Sequence, residues 1–392
     1  MAVGAGVVTA MQIGKVPPTL PAITEELELT RVSAGWVASL FFVVGALAGV
    51  GFGALADRFG ERRLLFVGLA CLAAGSLIGG LFADSSVLMA TRVLEGVGYV
   101  AVTVAAPKIT AASSRPVDVP LAISLWSTFM PLGMAAIMVV SPFLLDGIGW
   151  RGVWLVNAGV VIVFIAVAAA GLPPDSARRG PAETGGAQQY FDWPGTKSLM
   201  RRPGPWLLGL IFTLYSLQWF AVMTWLPTFL IETQGRALTA AALFGALVVF
   251  VNVIGNVGGG IIMLRTKTTR WALIAASFVV MAATVPLVFS ASVGESAKIP
   301  LAIAFSLFTG VLPAACLAGA AAHAPSPAQN GMSNGFVIQG ATIGSLLGPP
   351  VMGALSAGFG NWENFWWVML IGPAFGIFLV GGMRGAERRI AS

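Results

Sequence analysis

The stretch that decides the fold reads Val32-Ser-Ala-Gly-Trp-Val-Ala-Ser-Leu-Phe-Phe-Val-Val-Gly-Ala-Leu-Ala-Gly-Val-Gly-Phe-Gly-Ala-Leu-Ala56, and Asp57-Arg58-Phe-Gly60-Glu-Arg62-Arg63 follows it directly. Residues 32–56 contain no Asp, Glu, Lys or Arg. A helix needs about 20 such residues to cross the hydrocarbon core of a bilayer. The stretch therefore predicts a transmembrane helix that ends in a charged loop.

The rest of the chain repeats this pattern. Hydrophobic residues make up 57% of the 392 residues and charged residues only 10%, whereas soluble domains carry about 25% charged residues. These proportions exclude a soluble fold, and the length of the apolar runs excludes the short alternating strands of a membrane β-barrel. Seven further runs without Asp, Glu, Lys or Arg lie at 64–83, 119–145, 152–174, 203–231, 237–264, 271–294 and 364–383.

Four more spans complete the count. Residues 299–362 contain no Asp, Glu, Lys or Arg and one histidine, His323, and the Pro- and Asn-containing break at 324–331 divides them into two helices. Two spans, 2–24 and 87–109, have charges inside them: Lys15, Arg92, Glu95 and Lys108. The sequence therefore predicts an all-α membrane protein with twelve transmembrane helices.

The basic residues determine the predicted orientation. With both termini inside, fifteen Lys and Arg residues fall in the inner loops and tail and four fall in the outer loops, as the positive-inside rule requires. The net charge of +6 thus belongs mostly to topogenic loops, and nucleic acid is not predicted as a partner. We expect an integral protein of a bacterial inner membrane, surrounded by lipid bilayer, with both termini in the cytoplasm.

Three matches at nearly one spacing divide the chain into two halves. Leu20-Pro21 matches Leu226-Pro227 at an offset of 206, the charged end of helix 2 matches that of helix 8 at 207, and Ser141-Pro142 matches Pro349-Pro350 at 208. Such a repeat places a substrate cavity between its halves. The predicted parts are a six-helix bundle at 1–174, a cytoplasmic linker at 175–202 and a second six-helix bundle at 203–392.

Two motifs resemble those of a known family. Gly53-x-x-x-Asp57-Arg58-x-Gly60-x-Arg62-Arg63 resembles the loop between helices 2 and 3 of the major facilitator superfamily, and Arg92-x-x-Glu95-Gly96-x-Gly98 resembles that family's helix 4 motif. The resemblance implies a secondary transporter that works by alternating access, with helices 1, 4, 7 and 10 lining the cavity.

Two further features of the sequence bear on which branch of the family it resembles. Trp225-Leu226-Pro227-Thr-Phe-Leu-Ile-Glu232 and Ser124-Leu125-Trp126-Ser127 are similar to the cyanate and nitroimidazole transporter branch. The antiporter signature Gly-Pro-x-x-Gly-Gly at the end of helix 5 is absent, and Ser141-Pro142 stands in its place. This departure argues against a drug/proton antiporter.

The loop after helix 2 is predicted to gate transport. Asp57 falls where that helix leaves the membrane, and a carboxylate there could bind the N-terminus of helix 11, whose first N–H groups lack partners. Glycine in this loop permits close helix packing and a tight turn. The alternative that stays open is that the arginines only set the topology. The predicted gating residues are Gly53, Asp57, Arg58, Gly60, Arg62 and Arg63.

The charges inside the spans predict a binding site. A charge at the centre of a bilayer costs at least about 3 kcal/mol, so it usually faces a partner or an aqueous cavity. Lys15 and Glu95 fall at similar depths, and Arg92 lies one turn from Glu95. We expect Lys15 and Arg92 to bind an anionic substrate and Glu95 to carry a proton. Alternatively, Arg92 and Glu95 form a fixed pair that supports helix 4.

Polar and aromatic residues on other spans are predicted to determine substrate shape. Each could equally hold helices together through hydrogen bonds. His323, near the inner end of helix 10, is expected to be solvated. The remaining predicted substrate-binding residues are Trp126, Tyr215, Gln218, Trp219, Asn252, Asn256 and Gln339.

We therefore predict a proton-coupled symporter of a small organic anion, with that solute and protons as its partners. The alternatives are an efflux antiporter for drug-like compounds or metabolites, a copper importer and a membrane sensor on a transporter scaffold. Copper import would use the thioether stripe Met130, Met134 and Met138, although such spacing is more often packing. No cofactor, metal site or catalytic site is predicted, because no phosphate-binding loop and no cluster of acids or histidines is present.

Overall fold

The computed structural model describes residues 1–48, 60–118, 122, 125–172, 193–266, 268–324 and 329–391. Within these ranges the regular structure is helical. The first six spans are α1 (Ala2–Gly14 and Val16–Glu26), α2 (Arg31–Ala48), α3 (Glu61–Leu81), α4 (Ser85–Ala112), α5 (129–148) and α6 (150–171). The last six are α7 (Pro203–Gln234), α8 (Leu238–Arg265), α9 (Arg270–Val288), α10 (Glu295–Ala322), α11 (Asn330–Gly358) and α12 (Trp366–Arg388).

The count of twelve spans is confirmed. Ten helices in the described ranges are long and apolar enough to cross a bilayer. One of them, Phe129–Gly171, is two helices, because Gly149 adopts φ 64° and ψ −179° between them, a conformation that side chains other than glycine rarely adopt. The twelfth span is α1, which crosses as two pieces that meet at Lys15.

The break in α1 follows from its sequence. Pro17 and Pro18 follow Lys15 closely, and proline lacks the N–H group that would continue the helical hydrogen-bond ladder. The helix is therefore interrupted at Lys15, which is the only charged residue within the apolar run 2–24.

Helix ends mark the two ends of the bundle. At one end, which we call the basic end, lie Gly60 to Arg63 and Arg202. At the other, which we call the far end, lie the connections 27–30, 235–237 and 359–365. Thr30 begins α2 by accepting a hydrogen bond from the backbone N–H of Ser33 at 3.1 Å, and Gly235 ends α7 in the left-handed conformation with φ 60°.

Small residues let α11 lie directly on α7. A Cβ atom added at Gly344 would lie 2.1 Å from the carbonyl oxygen of Thr213, and one added at Gly348 would lie 2.2 Å from that of Leu217. The two backbones are thus in contact, as in membrane helices that pack through small residues.

We expect Gly344→Ala to destabilise the protein by about 1–3 kcal/mol, because the new methyl group has no room against the α7 backbone. Thermal unfolding in detergent would measure this as a lower melting temperature. The matched control is Gly335→Ala on the same helix, where nothing lies within 4 Å of the added Cβ. Equal melting temperatures for the two variants would contradict the close contact.

Three predicted gating residues, Gly53, Asp57 and Arg58, and most of the predicted linker lie outside the described residues. The described part of the linker contains a short helix, Trp193–Met200, which precedes α7.

Candidate functional site

Lys15 lies at the break between the two pieces of α1 and donates three hydrogen bonds. Its Nζ lies 2.7 Å from Gln12 Oε1, 2.8 Å from Ser76 Oγ on α3 and 2.7 Å from Glu95 Oε1 on α4. The same atom lies 4.4 Å from the centre of the Trp154 ring on α6. An ammonium group has three protons to donate, so all of the hydrogen-bonding capacity of Lys15 is used.

Arg92 holds the other oxygen of the same carboxylate. Its Nη1 donates to Glu95 Oε2 and, at 3.0 Å, to the carbonyl oxygen of Gln12, while its Nε donates to that of Val37 at 3.0 Å. The guanidinium lies 4.8 Å from the centre of the Phe41 ring. Its Nη2 atom is buried and has no hydrogen-bond partner among the described residues.

The cluster is fully buried and carries a net charge. The side chains of Lys15, Arg92 and Glu95 are all 0% exposed. Two cations share one carboxylate, so the cluster has a charge of +1 when all three are ionised. Removing charges from water is costly unless they are paired and hydrogen-bonded, and this arrangement leaves one positive charge without a counterion among the described residues.

Spare hydrogen-bond donors surround this positive charge. Gln12 Nε2 and Trp154 Nε1, like Arg92 Nη2, are buried and lack an acceptor among the described residues. Buried donors without acceptors are uncommon in folded proteins. The cluster is therefore chemically suited to accept an additional anionic or hydrogen-bond-accepting group.

Local sequence explains why these groups meet. Gln12 precedes Lys15 by three residues and so lies on the same side of α1. Ser76 connects Lys15 to α6, because its hydroxyl accepts from Lys15 and donates to the Trp154 carbonyl oxygen at 2.7 Å. A Cβ atom at Gly75 would lie 2.5 Å from Glu95 Cγ, so glycine at this position lets α3 approach the carboxylate.

The structure brings together Lys15, Arg92 and Glu95, as their depths predicted. It also shows that Lys15 points towards α3 and α6, inside the first six spans. Sequence reasoning missed Gln12, Ser76 and Trp154. Ser76 could have been singled out from the sequence, because it is the only hydroxyl-bearing residue in the charge-free run 64–83.

A second polar network joins α7, α8 and α10. Asn252 Nδ2 donates to the carbonyl oxygen of Ser306 at 2.8 Å and to the Tyr215 hydroxyl at 3.4 Å. Asn256 Nδ2 donates to Asn252 Oδ1 at 2.7 Å, and Trp219 Nε1 donates to Ser306 Oγ at 3.4 Å. Four of the predicted substrate-binding residues thus form one group in the second half of the chain.

The other three predicted substrate-binding residues lie apart from this group. Gln218 Nε2 donates to the Met369 carbonyl oxygen at 3.1 Å, and Gln339 Nε2 donates from α11 to the Ala46 carbonyl oxygen of α2 at 2.8 Å. Trp126 stacks on Phe129 with ring centres 4.5 Å apart. Each of these three residues thus has a different partner, and none of these partners belongs to the second network.

An aromatic layer lies between the charged cluster and the second network. We use this name for Phe41, Phe42, Tyr99, Trp219 and Phe220. Ring centres are 4.7 Å apart for Phe42 and Phe220, which belong to opposite halves, and 4.9 Å apart for Trp219 and Phe220. Because Arg92 lies over Phe41 and Trp219 contacts Ser306, the layer connects the two polar groups.

The described gating residues lie at the start of α3. Gly60 precedes the helix with φ 85°, a conformation that favours glycine. Arg62 Nη2 donates to the Ala169 carbonyl oxygen of α6 at 3.4 Å, and its guanidinium lies 5.3 Å from the centre of the Phe66 ring. Arg63 is exposed.

The expectation of a solvated His323 was wrong. The side chain is 4% exposed and packs against Gly204, where an added Cβ would lie 2.2 Å from Nδ1. The start of α7 covers the end of α10 here, a tertiary contact that position along the helix does not reveal. Burial lowers the pKa of His323 below its ordinary value.

Comparison with known proteins identifies the family. A model of the Major Facilitator Superfamily matches residues 2–299. The probable sulfoacetate transporter of Cupriavidus necator is 27% identical over 88% of this chain and 83% of its own length. The 4-hydroxybenzoate transporter of Pseudomonas aeruginosa is 27% identical over 85% of this chain and 81% of its own length.

Other matches are partial or structural. The tetracenomycin C resistance and export protein of Streptomyces glaucescens is 26% identical over 41% of this chain, and the match spans only 30% of that protein. A bacterial homolog of the human lysosomal transporter Spinster, solved in an inward-facing and unoccupied conformation, superposes with a TM-score of 0.74 at 16% identity, covering 99% of this chain and 94% of that one. The chain therefore belongs to the Major Facilitator Superfamily and is a membrane transporter rather than an enzyme.

Proposed function

We propose that this transporter moves a small organic anion together with protons by alternating access. The single observation that carries the proposal is the fully buried cluster of Lys15, Arg92 and Glu95, with its surplus positive charge and the unpartnered Nη2 of Arg92. A carboxylate or sulfonate would supply both the missing charge and the missing acceptor.

We infer different roles for the two cations from their contacts. Lys15 uses all its donors on Gln12, Ser76 and Glu95 and therefore holds the carboxylate in place. Arg92 has a donor to spare and lies against the aromatic layer, so Arg92 is the proposed anchor for the substrate anion.

Glu95 is the proposed proton carrier. Its two oxygens separately bind Lys15 and Arg92. Protonation removes the charge that holds Arg92 and raises the cluster from +1 to +2, which favours anion binding. When the anion and the proton have both left, Glu95 pairs with both cations again. Anion and proton would thus each bind better in the presence of the other, which is the condition for coupled transport.

The second network and the aromatic layer would select the substrate by shape and hydrogen bonding. Tyr215, Trp219, Asn252 and Asn256 supply hydroxyl, indole and amide groups to this region, and we propose Trp126, Gln218 and Gln339 as further contacts in other conformations. The relatives named for sulfoacetate and 4-hydroxybenzoate support an organic acid as the substrate class.

We further propose that the basic end faces the cytoplasm of a bacterial cell, as the basic loops predict. The two bundles would comprise residues 1–174 and 203–392, joined by the linker 175–202. Movement between them would be gated at the basic end by the loop residues Gly53, Asp57, Arg58, Gly60, Arg62 and Arg63.

Export is the second candidate function, because the tetracenomycin relative carries resistance and export in its name. Copper import has less support. The methyl group of Met138 packs against Gly245 of α8. Packing between helices is also the commoner role of methionines at this spacing.

Uptake into proteoliposomes with an acidic exterior would test the proposal. Sulfoacetate is a suitable first probe, because its sulfonate stays ionised and cannot cross the bilayer as a neutral acid; 4-hydroxybenzoate and nicotinate extend the panel, and nicotinamide is the neutral control. We expect one or more anions to accumulate, dependent on the pH gradient and abolished by an uncoupler. Transport of the neutral amide alone, or expulsion of solute in exchange for protons, would contradict proton-coupled anion symport.

A further inference from the structure

Two glutamates at matching positions of the repeat bind a tryptophan in the same way. Glu26 ends α1 and Glu232 lies near the end of α7, at the offset of 206 that also relates Leu20 to Leu226. Trp150 Nε1 donates to Glu26 Oε2 at 2.6 Å, and Trp362 Nε1 donates to Glu232 Oε2 at 2.6 Å. Both tryptophans follow the turn that ends the fifth helix of their half.

The two glutamates differ in the origin of their cation. Arg151, from the same half as Glu26, donates to Glu26 Oε1 through Nη2 at 2.6 Å and Nε at 3.1 Å. Glu232 instead pairs with Arg31 at the start of α2, in the opposite half, at 2.8 Å between Nη2 and Oε2. The first ion pair therefore lies within one half, and the second joins the two halves.

The surrounding backbone shows that the halves touch at this end. The Arg31 guanidinium lies 4.8 Å from the centre of the Trp362 ring. A Cβ atom added at Gly353 would lie 2.4 Å from the Arg31 carbonyl oxygen, and one added at Gly35 would lie 2.6 Å from Pro350 Cα. Separation of α2 from α11 at the far end would break the contact of Arg31 with Glu232 and Trp362, whereas Glu26 would keep its partners.

We propose that Arg31, Glu232 and Trp362 form a latch that holds the far end closed, and that Glu26, Trp150 and Arg151 are its static counterpart. Trp362 is a positioning residue, because its indole N–H fixes the carboxylate that Arg31 reaches. The proposal rests on the alternating access of the proposed function but not on the identity of the substrate or on proton coupling.

The strength of the ion pair suits such a role. The Arg31 and Glu232 side chains are 30% and 38% exposed, and ion pairs of this exposure contribute modestly. A modest contribution lets the conformations exchange, because a strong pair would trap the closed state. Loss of the pair should therefore raise the population that is open at the far end by about two- to fivefold.

Distance measurements between spin labels would test the latch without any substrate. Labels at Ala83 and Ala291, exposed residues in far-end connections of opposite halves, would report on opening in full-length protein whose Cys71 and Cys316 are replaced by alanine. We expect Glu232→Gln and Arg31→Gln each to increase the population with long distances. Glu26→Gln, the matched control, should leave the distribution as in the parent.

The outcomes are separable. The proposal would be overturned if Glu26→Gln and Glu232→Gln increased the population with long distances equally. It would also be overturned if neither Glu232→Gln nor Arg31→Gln increased that population. Because two variants break the same pair from opposite sides, misfolding of one leaves the other as a test. If the variants shift the distances as expected but the protein does not transport anions, the latch stands and only the proposed function is refuted.

Discussion

Glu95→Gln should lower the stability of the protein by about 3–5 kcal/mol, because it leaves Lys15 and Arg92 buried without a counterion. Thermal unfolding in detergent at neutral pH would show this as a marked fall in melting temperature. The charge rather than the shape is responsible, so the double variant Lys15→Met with Glu95→Gln should recover part of the loss.

The control for this prediction is Asp118→Asn. Asp118 pairs with Arg115 on the surface, where the two side chains are 42% and 81% exposed, and such pairs contribute about 0–1 kcal/mol. Similar melting temperatures for Glu95→Gln and Asp118→Asn would show that the buried carboxylate is not the counterion of the cluster.

Arg92→Gln should reduce anion uptake by about 10- to 150-fold, since a hydrogen bond to a charged group is worth about 1.5–3 kcal/mol. The loss should appear mainly as weaker substrate binding. Arg92→Lys should recover part of it, because lysine restores the positive charge, but not all of it, because lysine lacks the planar set of donors of the guanidinium. Initial uptake rates over a range of substrate concentrations would separate binding from turnover.

Lys298→Gln is the matched control for Arg92→Gln. Lys298 is also a buried cation, it pairs with the carboxylate of Glu363 at 2.6 Å, and it lies at the far end of α10, outside the cluster. Its uptake rate per folded protein should stay close to that of the parent, because Lys298 lies outside the cluster. A large loss in Lys298→Gln, or none in Arg92→Gln, would contradict the assignment of the anion site.

The number of spans was predictable because hydrophobic length has a fixed physical requirement. Each charge-free run is long enough to cross a bilayer, and no neighbouring residue changes that. The sequence also separated the fifth span from the sixth, at 119–145 and 152–174, although it did not identify Gly149 as the residue whose backbone turns between them.

The direction of the buried charges was not predictable. Depth along a helix can be counted, and it correctly put Lys15 level with Glu95. The approach of α3 through Gly75 helps to decide where the ammonium points, and it depends on packing between helices. For the same reason, neither the contact of Trp154 with Lys15 nor the aromatic layer could be predicted from the sequence.

The latch illustrates a further limit of sequence. The spacing of 206 relates Glu232 to Glu26, and by symmetry alone both would be expected to bind the same kind of partner. Only the positions of Arg31 and Arg151 in space show that one glutamate spans the halves and the other does not. Equivalent positions in a repeat can therefore perform different tasks.

The most direct test of the central claim is to record anion uptake and internal pH together in vesicles that contain a pH-sensitive dye. With a transported anion, and sulfoacetate as the first choice, the parent protein should acidify the interior in proportion to uptake, because Glu95 as the proposed proton carrier would release a proton with each cycle. Glu95→Gln should show no acidification coupled to uptake. Uptake by the parent without acidification, or acidification that persists in Glu95→Gln, would contradict the account.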